Sequence, residues 1–289
     1  MSGESGPAYG SELAVVIVTY SPGETLDRCL DTLGKATSRP VRVILADNGS
    51  TDGAPERAAA ERENVTLLHT GGNLGYGTAA NRGVAALDDS YGWIVVSNPD
   101  LEWGDGGLDT LLDAASRWPR GGAFGPLIKE VSGEVYPSAR LLPSLGRGAG
   151  HATFVRVWPS NPWSRAYKQA GSVEERPAGW LSGSCLLMRR EAFDSVDGFD
   201  PRYFMYFEDV DLGDRLGRAG WQNIYVPSAE VVHIQGHSTA RSSDAMLAAH
   251  HRSAYRYIAD RHRGWHWAPV RWAVRAGLAL RLKLSSRKP

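Results

Sequence analysis

Three acidic positions in this chain have the surroundings needed to act on a phosphate-linked substrate. Asp100 closes Ser97-Asn98-Pro99-Asp100, directly after the apolar run Trp93-Ile94-Val95-Val96. A buried strand ending in such a turn presents its carboxylate at the edge where open α/β sheets bind ligands. An oxygen ligand there suits a hard divalent cation, and such cations bridge phosphates. Asp47 opens Asp47-Asn48-Gly49-Ser50 after Val41 to Ala46. It could accept hydrogen bonds from a nucleobase or ribose, although Asp-Asn-Gly is a strong turn signal on its own. Asp209 follows Glu208 at the start of an amphipathic stretch, after the aromatic run Tyr203-Phe204-Met205-Tyr206-Phe207. With Leu212 and Leu216 facing the core, Asp209 lies near the same face and Asp211 points elsewhere. A carboxylate beside aromatic rings loses water, which raises its pKa, while a helix N-terminus opposes the rise. Such a group could act as a base; the plainer alternative is an acid that complements the helix dipole.

Asn73-Leu74-Gly75-Tyr76-Gly77 precedes a helical period. Glycines let a backbone approach phosphate, and a helix N-terminus favours anions, but the same residues also make an ordinary connection. A dinucleotide fingerprint would stand after the first strand, where the chain has Thr19-Tyr20-Ser21-Pro22-Gly23 instead, and no phosphate-loop lysine motif occurs. This argues against a Rossmann dehydrogenase. His233 follows Val231-Val232, with His237 four residues later. Each fits a metal ligand or a half-buried, hydrogen-bonded histidine.

The elements that must hold these groups alternate. Strands are expected over Leu13 to Val18, Val41 to Ala46, Val65 to His69 and Trp93 to Ser97. Between and after them, helices are expected over Thr25 to Leu33, Ala54 to Arg62 with Asp52 as a cap, Tyr76 to Leu87, and around Leu108 to Arg117. That alternation argues for a mostly parallel sheet. Ser138 to Pro177 is rich in Gly, Pro, Arg and Trp without a clear period. Apolar character resumes over Trp180 to Arg190, and a helix is expected from Glu208 to Ala219 with Gly220 as its stop. Short strands over Ile224 to Val226 and Val231 to Ile234 follow, then helices over Asp244 to Asp260 and Gly264 to Leu284.

The 289 residues include two cysteines, which make no disulfide framework and fit a reducing compartment. Met1 to Glu12 is Gly/Ser-rich and acidic without an apolar segment, and reads as a disordered leader. No run approaches the ~18 apolar residues of a membrane span. Net charge is zero, yet Arg261 to Pro289 carries eight Lys/Arg and no Asp/Glu, leaving 24 basic against 32 acidic groups elsewhere. With Trp265, Trp267 and Trp272, this tail suits an anionic membrane surface, or a helix packed on the body with a solvated basic face. No nucleic-acid partner is expected: no binding module is recognisable and the acidic body would repel a phosphate backbone.

The order of several motifs is more specific than any one of them. Val15-Val16-Ile17-Val18-Thr19-Tyr20, Asp47-Asn48-Gly49-Ser50-Thr51-Asp52-Gly53, Asn73-Leu74-Gly75-Tyr76-Gly77 with Asn81, and Asn98-Pro99-Asp100 come first. Trp180-Leu181-Ser182-Gly183-Ser184 and Phe207-Glu208-Asp209-Val210-Asp211-Leu212 follow. This series, from about Leu13 to about Ser238, resembles the family-2 inverting glycosyltransferases. Tyr136-Pro137-Ser138-Ala139-Arg140 and Tyr203 to Leu212 sharpen the resemblance toward bacterial rhamnosyltransferases.

The resemblance implies an α/β GT-A fold: a mostly parallel nucleotide-binding sheet flanked by helices, with a C-terminal helical region. It divides the chain into a disordered leader (1–12), a GT-A catalytic domain (13–240) and a basic, membrane-proximal helical region (241–289). It also implies roles. Asp47 sits on the nucleobase, with Thr19, Tyr20, Gly75 and Asn81 in the nucleotide pocket. Asp100 and His233 hold Mg²⁺ or Mn²⁺, with Asn98 where many members have the first acid of a DXD motif. Trp180, Gly183 and Glu208 meet the acceptor or donor sugar, and Asp209 is the general base. The implied reaction moves L-rhamnose from dTDP-β-L-rhamnose to N-acetylglucosaminyl-diphospho-polyprenol in cell-wall linker synthesis. The implied location is cytoplasmic, peripheral on the inner face of the plasma membrane. Another donor such as UDP-galactofuranose, a polysaccharide acceptor, a silent nucleotide- or lipid-binding module and a homo-oligomer stay open.

Overall fold

The computed structural model describes residues 9–143, 173–234 and 243–285. Leu13–Thr19 (β1) is buried along its whole length. Leu13, Val15 and Ile17 enter one apolar layer, and Ala14, Val16 and Val18 the other. A strand covered on both faces reads as a continuous apolar run, which is why this segment shows no alternation. β1 pairs in parallel with Val41–Asp47 (β2) on one side and Trp93–Ser97 (β4) on the other, and β2 pairs in parallel with Val65–His69 (β3). The crossovers run through Thr25–Ala36 (α1), Ala54–Glu61 (α2) and Tyr76–Ala85 (α3). α1 and α2 cover the first layer and α3 the second. The strand order reverses between β1 and β4, which opens a crevice at their carboxyl ends. Asp52 accepts the Ala54 amide at 3.2 Å, although left-handed Gly53 is the residue that precedes α2.

Beyond β4 the sheet is mixed. The remaining strands are Leu101–Trp103 (β5), Gly121–Glu130 (β6), Val135–Tyr136 (β7), Ala139–Arg140 (β8), Arg176–Ala178 (β9), Trp180–Leu181 (β10), Cys185–Arg189 (β11) and Gln222–His233 (β12). The main path is β3-β2-β1-β4-β11-β6-β12-β5, with β11 antiparallel to both neighbours. The expected strands at 224–226 and 231–234 are one strand, β12, whose register shifts between Val226 and Glu230. Pro227 cannot donate to a ladder, so the irregularity falls there. β6 and β5 are elements that the sequence pattern did not announce. Among the described residues the α-helices of this half are Gly107–Arg117 (α4), Arg190–Asp194 (α5), Glu208–Arg218 (α6), Ser243–Arg261 (α7) and Ala268–Ser285 (α8).

Two expected boundaries move. Of the leader, residues 1–8 lie outside the described residues, but Tyr9 to Glu12 are tied down. The Tyr9 hydroxyl donates to Asp194 at 2.6 Å, and the Gly10 amide donates to the Asp89 carbonyl at 2.8 Å. At the other end, α7 packs on the body that holds the sheet rather than forming a separate tail. Tyr257 is fully buried, Arg261 pairs with Asp214 at 2.9 Å, and Arg202 pairs with Asp260 at 2.8 Å. Most of the irregular Ser138 to Pro177 segment lies outside the described residues, and its ends form β8 and β9.

Candidate active site

The loops after β1, β2 and β4 form one rim of a cavity of about 340 Å³, with Tyr20, Ser21, Asn48, Asn98 and Asp100 on its wall. The loops after β1 and β2 are laced together. The Ser21 amide donates to Ser50 Oγ at 2.8 Å, the Thr51 amide to Ser21 Oγ at 3.0 Å, and the Gly23 amide to Asp52 at 2.7 Å. Asp47 lies behind this wall, 2% exposed. Its Oδ1 accepts Thr19 Oγ1 at 3.0 Å, the Ser50 amide at 3.1 Å and the Ser50 hydroxyl, while its Oδ2 lies 3.4 Å from His69 Nδ1. Burial pushes the Asp47 pKa up, but the bonds from Ser50, Thr19 and His69 prevail and hold it below its ordinary value. Thr19 and Asp47 therefore build the turn that presents Asn48 rather than standing on the wall themselves.

Pairing of β12 with β5 carries His233 to the turn after β4. His233 Nε2 lies 3.0 Å from Asp100 Oδ1 and 3.3 Å from Asn98 Nδ2. Turning the Asn98 amide over would aim its oxygen at the same point. A carboxylate, an imidazole nitrogen and an amide oxygen converging this closely form a donor set that fits a hard divalent cation, with further positions left for phosphate or water. Among the described residues no group of three His, Cys, Asp or Glu side chains gathers, so Asn98 is the third protein donor available. His237 lies outside the described residues.

A second rim is formed around the start of α6. Tyr206 and Phe207 both have φ of 67°, in the left-handed region that aromatic residues rarely enter. α7 holds this corner: Ser253 Oγ donates to the Met205 carbonyl at 2.9 Å, and the His250 ring lies 5.5 Å from Tyr206 and 5.4 Å from Phe207. The corner aims Glu208 and Asp209 into the cavity, with Tyr136, Gly183 and Met205 beside them. Asp209 Oδ2 accepts the Gly183 amide at 3.0 Å and Oδ1 the Val210 amide at 2.8 Å. Gly183 is fixed in turn by the Tyr76 hydroxyl, which donates to its carbonyl at 2.6 Å. Asp211 points away and pairs with Arg215 at 2.6 Å.

Burial raises the pKa of both carboxyls. At Asp209 the Gly183 and Val210 amides and the Arg140 charge oppose that rise. At Glu208, burial and then the Asp209 charge push the value to about 8. Glu208 Oε2 has no partner among the described residues. Adjacent buried carboxyls do not both ionise at neutral pH. The amides favour charge on Asp209, so Glu208 keeps the proton.

Gly75 is on the wall with φ of +87°, and a Cβ there would lie 2.3 Å from the Phe204 carbonyl oxygen. Glycine is thus required by its close approach to the aromatic corner. Two expected site residues are used elsewhere. Asn81 donates to the Phe199 carbonyl at 2.7 Å and accepts its amide at 2.9 Å, so it clamps that turn instead of meeting a nucleotide. Trp180 is buried behind the wall, its indole donating to the Leu141 carbonyl at 3.2 Å, and does not reach a sugar in the cavity. Tyr136, Met205 and Ser182 line the cavity without having been expected to. They carry no local signal, since contacts between distant segments bring them there.

A mixed α/β sheet with Asp100, Glu208 and Asp209 lining one cavity at its edge is the arrangement that the sequence resemblance implies. Residues 14–197 match the family model of glycosyl transferase family 2, and 166–256 that of glycosyltransferase-like family 2. The chain belongs to glycosyl transferase family 2. It is 59% identical over 285 residues to the N-acetylglucosaminyl-diphospho-decaprenol L-rhamnosyltransferase of Mycobacterium tuberculosis, covering 95% of this chain and 93% of that protein. It is 24% identical over 251 residues to the rhamnosyltransferase WbbL of Escherichia coli (strain K12), covering 85% and 92%. Among solved structures, the mannosyltransferase PcManGT from Pyrobaculum calidifontis in complex with GDP-Man and Mn²⁺ superposes with a TM-score of 0.58 at 18% identity, covering 98% and 77%. That likeness shows the fold.

Proposed function

We propose that the protein transfers L-rhamnose from dTDP-β-L-rhamnose to N-acetylglucosaminyl-diphospho-polyprenol with inversion at the anomeric carbon. The observation that carries this reading is a single cavity with Asp100 on one rim and Asp209 on the other. An in-line displacement needs the leaving diphosphate and the attacking hydroxyl on opposite sides of the reacting carbon, and each rim serves one of them. Identity of 59% to a rhamnosyltransferase, over 95% of this chain and 93% of that protein, supports the substrates. Asp209 accepts the proton of the acceptor hydroxyl as it attacks. Glu208, neutral beside it, keeps a second negative charge out of the site and has a proton to donate to a sugar oxygen. Asn48 and Tyr20 face the nucleoside. Asp100, His233 and Asn98 would hold Mg²⁺ or Mn²⁺, which when bound supplies positive charge to the leaving diphosphate.

The acceptor's lipid calls for a peripheral seat on the inner face of the membrane, and the C-terminal residues fit one. Trp265 is 87% exposed and Trp272 69% exposed, with Leu280 also outward. Among the described residues no helix is long and apolar enough to cross a membrane. Part of the basic charge is used internally: Arg271 donates to the Gly264 carbonyl at 2.9 Å and to that of His262. Each cation that meets anionic lipid contributes about 1 kcal/mol.

The test is a donor screen with a short-chain N-acetylglucosaminyl-diphospho-polyprenol, with and without Mg²⁺ or Mn²⁺. An α-linked rhamnosyl product from dTDP-rhamnose is expected. Turnover of UDP-galactofuranose or another donor in its place would overturn the assignment. Replacing Trp265 and Trp272 together by Ala should release the protein from anionic vesicles in sedimentation; unchanged sedimentation would remove the membrane seat.

A further inference from the structure

One cation beside the base has no part in the donor chemistry. Arg140 lies on β8, which pairs antiparallel with β10 so that Arg140 stands opposite Trp180. The pairing runs on toward the site: the Ser182 amide donates to the Ser138 carbonyl at 2.7 Å, and the next residue, Gly183, holds Asp209. The guanidinium carbon of Arg140 lies 5.3 Å from the centre of the Tyr136 ring and 5.3 Å from that of Trp180. Its Nε donates to the Pro137 carbonyl at 2.7 Å. Two rings and one hydrogen bond fix the plane of the group, and its terminal nitrogens donate no hydrogen bond among the described residues. The side chain is half-buried, and among the described residues it enters no ion pair. Tyr136, one of the two stacking rings, lines the cavity with Asp209.

A half-buried guanidinium that forms no ion pair among the described residues is suited to an incoming anion. Its position decides which one. The donor diphosphate departs on the Asp100 side, whereas the acceptor arrives on the Asp209 side. The anion that the acceptor carries is a diphosphate, on the same sugar ring as the attacking hydroxyl. We propose that Arg140, clamped between Tyr136 and Trp180, binds the diphosphate of the lipid-linked acceptor. This rests on the acceptor assigned under the proposed function. A planar, pre-oriented fork donates two parallel hydrogen bonds to phosphate oxygens, and so selects a charged acceptor over a neutral glycoside. The charge also lowers the proton affinity of Asp209, and the test must separate that effect.

The full-length protein is assayed with dTDP-rhamnose and two acceptors, N-acetylglucosaminyl-diphospho-farnesol and octyl N-acetylglucosaminide. In Arg140→Gln the preference for the diphosphate acceptor, as a ratio of kcat/KM values, should fall ~10- to 100-fold, mainly through KM. Arg140→Lys should fall between, since an ammonium keeps the charge but not the fork. An equal loss on both acceptors, leaving the ratio unchanged, would assign Arg140 to the base alone and overturn the proposal. Binding of farnesyl diphosphate, measured with saturating dTDP so that the donor side is filled, needs no turnover. A ~10-fold or larger rise in Kd in Arg140→Gln is expected, and an unchanged Kd overturns the proposal. Absence of wild-type turnover with the diphosphate acceptor would count against the reaction, while the farnesyl diphosphate measurement would still decide on Arg140.

Discussion

The two rims of the cavity are built differently. The rim we assign to the donor is the carboxyl edge of parallel strands, where β1, β2 and β4 end side by side and hydrogen bonds join the loops after β1 and β2. The base rim has no such scaffold. Gly183 comes from the connection between β10 and β11, Asp209 from α6, and the corner that aims it is braced by α7 from the far end of the chain. That corner puts two aromatic residues at positive φ, a conformation that persists only where surrounding structure enforces it. Parallel strand ends carry the first rim; the second, where we place the base, takes a strained corner held by long-range contacts.

The strongest way to break this division is Asp209→Asn. Loss of the base should lower kcat by ~10²- to 10⁴-fold. The donor rim is intact in that variant, so dTDP binding by calorimetry should stay at the wild-type level. Near wild-type turnover would remove Asp209 as the base. The complementary change is Asp100→Ala, expected to lower kcat/KM by roughly 100-fold. Its loss should respond to divalent-ion concentration, whereas that of Asp209→Asn should not. If neither variant responds to Mg²⁺ or Mn²⁺, the cation does not sit at Asp100.

The same division governs what could be read from the sequence. The run from β1 to β4 was legible because strands buried on both faces show as unbroken apolar segments, and the helices between them keep their period. Asp100 and Asp209 stood out as candidates because one follows the end of a strand and the other begins a helix. Depth was not legible: Asp47 and Thr19 stand at the right edge, yet their hydrogen bonds to Ser50 and to each other bury them behind Asn48. Asn81 and Trp180 matched a motif, but backbone groups of Phe199 and Leu141 occupy their polar atoms. β6 escaped notice because Gly121, Gly122, Gly125 and Pro126 imitate a loop, although its first eight residues are buried. Tyr136 and Met205 reach the cavity only through packing between segments distant in sequence.

Protons should report the same contrast in a smaller effect of opposite sign at the two rims. Asp47 has a folded pKa below its ordinary value of 3.8, so its ionised form stabilises the fold; that contribution is present above pH 3.8 and is lost as pH falls below it. Glu208 titrates ordinarily near 4.5 and in the fold near 8. Between those values the unfolded chain has released a proton that the folded one retains, so stability declines as pH rises through this window and levels off above it. Glu208→Gln removes this ionisation. Its melting temperature should change less than that of the wild type between pH 5 and 8, with the largest gain at the alkaline end, on the order of a few kcal/mol at most. Asp47→Asn should instead lose stability at neutral pH and approach the wild type in acid. Parallel melting curves for Glu208→Gln and the wild type across that window would mean that Glu208 does not hold the proton, and Asp209 would then have to share its charge with an ionised neighbour.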